Sequence, residues 1–247
     1  MKRSTRIAAA TIAVGMIGAA VVFSAHAGPL IANGGFESGF TSWTRVDQVG
    51  SDGSFILQSG TSSPVNGDPV PAPPEGTTAA MSDAQGPGAH VLYQDFVVPT
   101  GGAILSFDLF IGNRSFDFFT PATLDFATPA LNQQARVDIV IPGLDPFSLA
   151  AADVLLNVYQ TNVGDALISG YATHATDLSA LFAAHVGETL RLRFAETDNV
   201  FIFQLGVDNV SINASSVPEP APTLLLGAAL AALLVSRSGI RSARTPS

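Results

Sequence analysis

Residues 28–216 of this 247-residue chain read as one all-β domain, an antiparallel sandwich, and three observations predict it. Apolar residues alternate with period two in several segments. Glycine- and proline-bearing turn clusters separate those segments. The stretch is rich in Gly, Pro, Asp, Phe and Val, and it shows little helical periodicity.

Taken in order, the first long run is Val91 to Val98. In Ile104–Ile111, Leu105, Phe107, Leu109 and Ile111 form one apolar face. Arg136–Ile141 and Val154–Gln160 follow. Leu190, Leu192 and Phe194 share a face, with Arg191 and Arg193 pointing away, and Phe201–Asn213 closes the series. The breaks are Asn66-Gly67-Asp68-Pro69, Gly86-Pro87-Gly88, Pro99 to Gly102, Ile141-Pro142-Gly143 and Val186-Gly187-Glu188. This spacing predicts roughly six to nine strands. Asp177–His185 reads as a short helix or turn, and Pro64–Gly76 as an exposed proline-rich loop.

Charge is distributed unevenly. Residues 28–216 carry five arginines, no lysine and nineteen acidic residues, a formal charge of −14. That excess repels phosphate backbones and excludes nucleic acid as a partner. It suits either calcium or plain solubility in an extracellular medium. The chain has no cysteine, which removes thiol catalysis, zinc–thiolate sites and iron–sulfur clusters and fits a bacterial exported protein with a core of sufficient size.

The two ends differ from the middle. Lys2, Arg3 and Arg6 precede an apolar run from Ile7 to Phe23, and Ala25-His26-Ala27 supplies a small-residue cleavage site. Residues 1–27 therefore read as a signal peptide cleaved by signal peptidase after Ala27; an uncleaved anchor is the alternative. At the other end, Pro218-Glu219-Pro220 precedes sixteen uncharged residues, Ala221–Ser236, and then Arg237, Arg241 and Arg244. As a helix that run spans roughly 24 Å, which snorkelling arginines can extend to bilayer thickness. Basic residues on one side only place that side in the cytoplasm.

The triplet, the short span and the terminal arginines of residues 217–247 resemble the PEP-CTERM sorting signal. The resemblance implies recognition by an exosortase, an integral-membrane protease, with processing near Pro218, Glu219 and Pro220. It implies transient residence in the inner membrane and delivery to the cell surface or extracellular matrix, often alongside exopolysaccharide. An ordinary C-terminal anchor with a proline-rich stalk is the alternative.

Within the middle, Leu30 to Gly39 with Asn33-Gly34-Gly35-Phe36-Glu37, then Trp43, Leu92-Tyr93-Gln94, Asp177 to Leu181, Gly187 to Phe194 and Val207 to Ile212 follow one another. This succession resembles galactose-binding-like, carbohydrate-binding-module-like domains and implies a jelly-roll β-sandwich. Such relatives hold a structural calcium where the first and last strands meet, and by position its ligands here are Glu37 and Asp208, completed by main-chain carbonyls and Asn33. Independently, Asp208 shares parity with Val210 and Ile212 and is expected to face the core. Phe201 to Val207 hold the opposite parity, so a bulge is expected within Gly206–Asn209. A core-facing carboxylate needs a cation or several donors; backbone amides, or escape into solvent at the bulge, are the alternatives.

Trp43 is read as a core residue, and Phe116-Asp117-Phe118-Phe119 as an exposed loop. His90, His174 and His185 stand far apart, and no nucleophile elbow, P-loop or HExxH motif is present. The sequence thus points to a non-enzymatic exported surface or matrix protein, with exopolysaccharide binding as the alternative and calcium as the one expected cofactor.

Overall fold

The computed structural model describes residues 29–214. The expected leader with Ala27, and the tail with Pro218, Glu219, Pro220, Arg237 and Arg241, lie outside the described residues. Among the described residues no helix is long and apolar enough to cross a membrane.

The strands are β1 (Thr44–Asp47), β2 (Ser54–Gln58), β3 (Ala79–Asp83), β4 (Gly88–Val97), β5 (Ala103–Asn113), β6 (Gln133–Val140), β7 (Val154–Gln160), β8 (Ala172–Asp177), β9 (Thr189–Asp198) and β10 (Phe203–Ala214). One short helix, α1 (Ser179–Ala184), precedes β9. Sheet one has the order β1-β4-β9-β6-β7 and sheet two the order β2-β3-β10-β5-β8. Every ladder within each sheet is antiparallel. The two sheets form an all-β sandwich, as the alternation predicts.

The core lies between the sheets. Leu92, Phe96, Val137, Ile139, Leu190, Leu192 and Phe194 come from one side, and Phe55, Leu105, Phe107, Leu109, Phe203, Leu205 and Val207 from the other. Each set repeats every second residue because successive side chains of a strand point to opposite faces. Trp43 belongs to this core: its ring lies 5.2 Å from Phe36, and its indole N–H donates to the Asn33 carbonyl at 3.0 Å.

Arg191 and Arg193 point away from the core, as the alternation expects, and both are buried on that outward face. Arg191 lies over the Tyr93 ring and bonds Asp95, and Arg193 is covered by a loop. Arg193 donates to the carbonyls of Pro146 and Ser148, both at 2.8 Å, and so holds the loop after β6. Two expectations need correction. The segment Pro64–Gly76 is a loop but not merely an exposed one. Val70 packs with Met81, Phe110 and Tyr171 on the outward face of sheet two, and the Val65 N–H bonds Asp83.

Asp208 does not face the core. The bulge falls between Asp208 and Ser211, with Asn209 at φ 50°, a left-handed conformation that asparagine tolerates. Because the extra residue comes after Asp208, that side chain keeps the parity of Gln204 and Gly206. It faces outward, directly opposite Asp108 on β5. It is nevertheless 0% exposed, since the strap of residues 70–78 lies over it.

Candidate functional site

The first turn meets the last strand through backbone alone. A Cβ on Gly34 would lie 1.8 Å from the Val210 carbonyl oxygen, and the Val210 N–H donates to Gly34 O at 3.0 Å. This close approach requires glycine. Asn33 (φ 52°) and Phe36 (φ 56°) flank it in left-handed conformations. The Asn33 side chain holds the turn together, donating to Gly39 O and Thr41 O and accepting from the Ser38 N–H.

Glu37 and Asp208 both grip the strap of residues 75–78. Glu37 Oε1 accepts the amides of Thr77 and Thr78, each at 2.8 Å, and their hydroxyls also donate to the carboxylate. The two backbone amides, followed by the hydroxyls, lower its pKa to about 2. Asp208 accepts from the Asn209 amide at 2.8 Å and the Glu75 amide at 3.2 Å. Burial outweighs these bonds, and the neighbouring carboxylates of Glu75 and Asp108 add to it, so its pKa is pushed up to about 7. A Cβ on Gly35 would stand 3.1 Å from Glu75 Oε2 and 3.9 Å from Asp208 Oδ1, which puts both carboxylates over the same stretch of backbone.

This arrangement bears on a calcium ion in two opposite ways. Asp208 and Glu75 have the donor chemistry such an ion takes, and Glu75 was not foreseen, since it sits in a proline-rich loop with no periodicity. Glu37 has a full set of protein donors already, and the Asn33 carboxamide is engaged in its own turn. Among the described residues no three His, Asp or Glu side chains converge as metal ligands. An ion here would draw on Asp208, Glu75 and main-chain carbonyls.

A hollow of about 590 Å³ lies on the outward side of sheet one. It is lined by Asp47, Gln48 and Val49 at the end of β1, by Thr123 and Asp125, and by Asp145 to Phe147. Its two loop walls are held differently. Arg193 fixes the 141–153 side. On the 114–132 side, three side-chain amides bind backbone carbonyls: Asn132 those of Thr123 and Asp125, Gln134 those of Pro121 and Thr123, and Asn199 those of Phe126, Thr128 and Ala130. Gln48 ties β1 to this wall by donating to Asp125 at 2.5 Å. The groove thus offers one half-buried aromatic ring, Phe147, beside carboxylates and an amide, on a braced frame. None of these residues carried a signal in the sequence, because they come from three segments joined only by folding.

The other singled-out residues serve structure. The His174 ring stacks on Phe107 at 5.4 Å and meets Tyr159 edge-on at 4.8 Å, while Asp177 accepts the Ser179 amide. His185 bonds Glu188 at 2.7 Å. Of the loop aromatics, Phe118 is buried against Phe203, and Phe116 is 73% exposed with its edge toward Phe119.

No described protein family and no curated protein matches the chain. Several solved structures overlap it loosely. The K3 cleaved adhesin domain of Lys-gingipain from Porphyromonas gingivalis W83 is 15% identical, with 76% of this chain and 100% of that one covered, at a TM-score of 0.47. TmCBM61 in complex with beta-1,4-galactotriose is 9% identical, covering 76% and 100%, at 0.44. A domain of bacteriophage CBA120 tailspike protein 4 is 11% identical at 0.43; this chain covers 21% of its length, and 76% of this chain is matched. Scores this low carry no functional argument, and the sandwich assignment rests on the two sheets themselves.

Proposed function

We propose that the galactose-binding-like jelly roll of residues 28–216 is the working body of an exported, non-enzymatic surface or extracellular-matrix protein. Signal peptidase acts after Ala27, and an exosortase-type protease acts near Pro218, Glu219 and Pro220, releasing the protein from the inner membrane. One observation carries the non-enzymatic reading. The charged groups on the outward face of sheet one and under the strap are engaged in bracing: Arg191 with Asp95, Arg193 with Asp138, Glu37 with Thr77 and Thr78. Mass spectrometry of the extracellular protein tests the route. The expected product starts at Gly28 and ends near the Pro-Glu-Pro triplet; recovery with Leu224–Val235 still attached overturns it.

A second reading, exopolysaccharide binding, is favoured by the groove at Phe147. An aromatic ring flanked by Gln48, Asp125 and Asp145 presents an apolar face with polar groups beside it, the combination that orients small polar ligands. On a panel of acidic and neutral polysaccharides, Phe147→Ala is expected to weaken binding by roughly tenfold, the loss of a modest aromatic contact. A flat response of the parent chain across the panel removes this reading while leaving the first untouched. A structural calcium at Asp208 and Glu75 is compatible with both.

A further inference from the structure

Along β9 the core face does not end on apolar residues. After Leu190, Leu192 and Phe194, the same parity places Glu196 and Asp198 between the sheets, and on β4 it places His90 there beyond Leu92. His90 and Glu196 are direct partners in the β4–β9 ladder, so their side chains lie side by side on one face. Both are buried. His90 Nδ1 bonds Asp47 at 2.8 Å. Among the described residues, His90 Nε2 and Glu196 Oε1 have no hydrogen-bond partner, a costly arrangement for a charged group.

We propose that Glu196, set opposite His90 across the β4–β9 ladder, is a proton store, closed off between the two sheets, that ties the cohesion of the sandwich to external pH.

The surroundings select protons over a metal ion. Asp47 and Arg45 act from β1, Asp52 from the following turn, Ser82 and Asp83 from β3, and Asp198 from β9. Arg45 acts at the Asp47 end, leaving Glu196 with the Ser82 hydroxyl and within the field of the Asp198 and Asp83 carboxylates. His90 Nε2 faces the Gly88 Cα so closely that a methyl there would stand 2.4 Å away. An ion with its ligand shell has no place in that gap, whereas a proton needs none. Protons can also reach the cluster from outside. Asp47 lines the groove, and Asp198, which accepts the Gly88 amide at 2.8 Å, lines a second hollow of about 180 Å³ beside Pro87 and Phe201.

The sign follows from burial. Burial, with Asp198 and Asp83 adding to it, pushes Glu196 well above the ordinary carboxylate range, and burial with Asp52 nearby pushes Asp198 up to about 7. Both groups hold protons more tightly folded than unfolded. Their contribution is complete below the ordinary values near 4; that of Asp198 is lost as pH rises through about 7, and that of Glu196 as pH rises through its own raised value.

Thermal melting of the full chain between pH 6 and pH 9 tests this, with Asp208→Asn as the common background so that its separately raised carboxyl does not contribute. The melting temperature is expected to fall by roughly 4 °C or more over that range. Adding Glu196→Gln, which keeps the shape without the charge, is expected to reduce the fall, leaving the part due to Asp198; an unchanged fall overturns the proposal. If that variant does not fold, proton release on urea unfolding of the background chain at pH 7 decides. Release of about one proton per chain supports the store, and no release overturns it. If zinc(II) raises the melting temperature and abolishes the pH dependence, a metal occupies the cluster and the proposal fails.

Discussion

Asp138 accepts a 2.7 Å hydrogen bond from Arg193 directly across the β6–β9 ladder, on the outward face of sheet one, where both side chains are buried. Asp138 also accepts from Arg136 at 2.9 Å and from Asn157 at 2.7 Å. Arg193 in turn holds the loop that walls the groove. Asp138→Ala is therefore expected to destabilise by about 3–5 kcal/mol, because it strands a buried guanidinium. Replacing both partners by apolar residues of similar size is expected to cost much less than the single change. Urea unfolding of the two variants checks this; a loss under about 1 kcal/mol for Asp138→Ala shows that the pair is not a brace.

The contact of Gly34 with Val210 joins the first turn to the last strand with no space for a side chain. Gly34→Ala is expected to cost about 3 kcal/mol or more, since the clash is with backbone that cannot rotate away. Gly170 has nothing within 4 Å of its would-be Cβ. Gly170→Ala is expected to stay within about 0.5 kcal/mol of the parent. Equal effects in a denaturant series exclude the steric account.

Glu37 fixes an acid limb to stability. Its folded pKa of about 2 lies below the ordinary 4.5, so its contribution is present above 4.5 and is lost as pH falls through about 2. Because Glu37 is solvent-exposed, screening reduces the effect. Glu37→Gln is expected to lower the melting temperature at pH 6, and the gap from the parent is expected to close toward pH 2. A gap of the same size at both pH values locates the effect in packing rather than charge.

Asp208 acts with the opposite sign. Its pKa of about 7 means that without calcium its contribution is lost as pH rises through 7. In chelator at pH 8, Asp208→Asn is expected to melt at or above the parent temperature. Added calcium is expected to raise the melting temperature of the parent, and Asp208→Ala to abolish that rise. A parent chain indifferent to both calcium and chelator has no ion at Asp208 and Glu75.

The strands legible in the sequence are those with one apolar face and clear breaks: β5 with Leu105, Phe107 and Leu109, β9 with Leu190, Leu192 and Phe194, and β4, β6, β7 and β10. Those that were not legible fail the alternation rule for physical reasons. Every residue of β3, Ala79–Asp83, is buried, and its polar residues Ser82 and Asp83 are adjacent rather than alternating, so no period of two appears. The edge strand β8, Ala172–Asp177, is largely exposed and offers few apolar positions. The strands β1 and β2 are too short for periodicity to rise above chance.

The candidate sites divide in the same way. Glu37 and Asp208 were singled out by their places beside Asn33-Gly34-Gly35-Phe36 and on the last strand, and both hold the strap of residues 75–78. Glu75 was not, because a loop residue acquires its neighbours only when the strap closes over sheet two. Parity also misplaced Asp208, since alternation fixes relative facing only up to a bulge, and one residue decides which side it takes. His90 and Glu196, 106 positions apart in the chain, became partners only through ladder register.

By itself, then, the sequence determined the class of fold, the inward faces of the long strands and the distinct character of both termini. Each of these is a local pattern written in consecutive residues. The tertiary structure alone decided which carboxylates meet, which arginines are buried, and that the core face of β9 ends in Glu196 and Asp198. Those outcomes depend on strand order, register and loop cover, quantities set by packing between residues far apart in the chain.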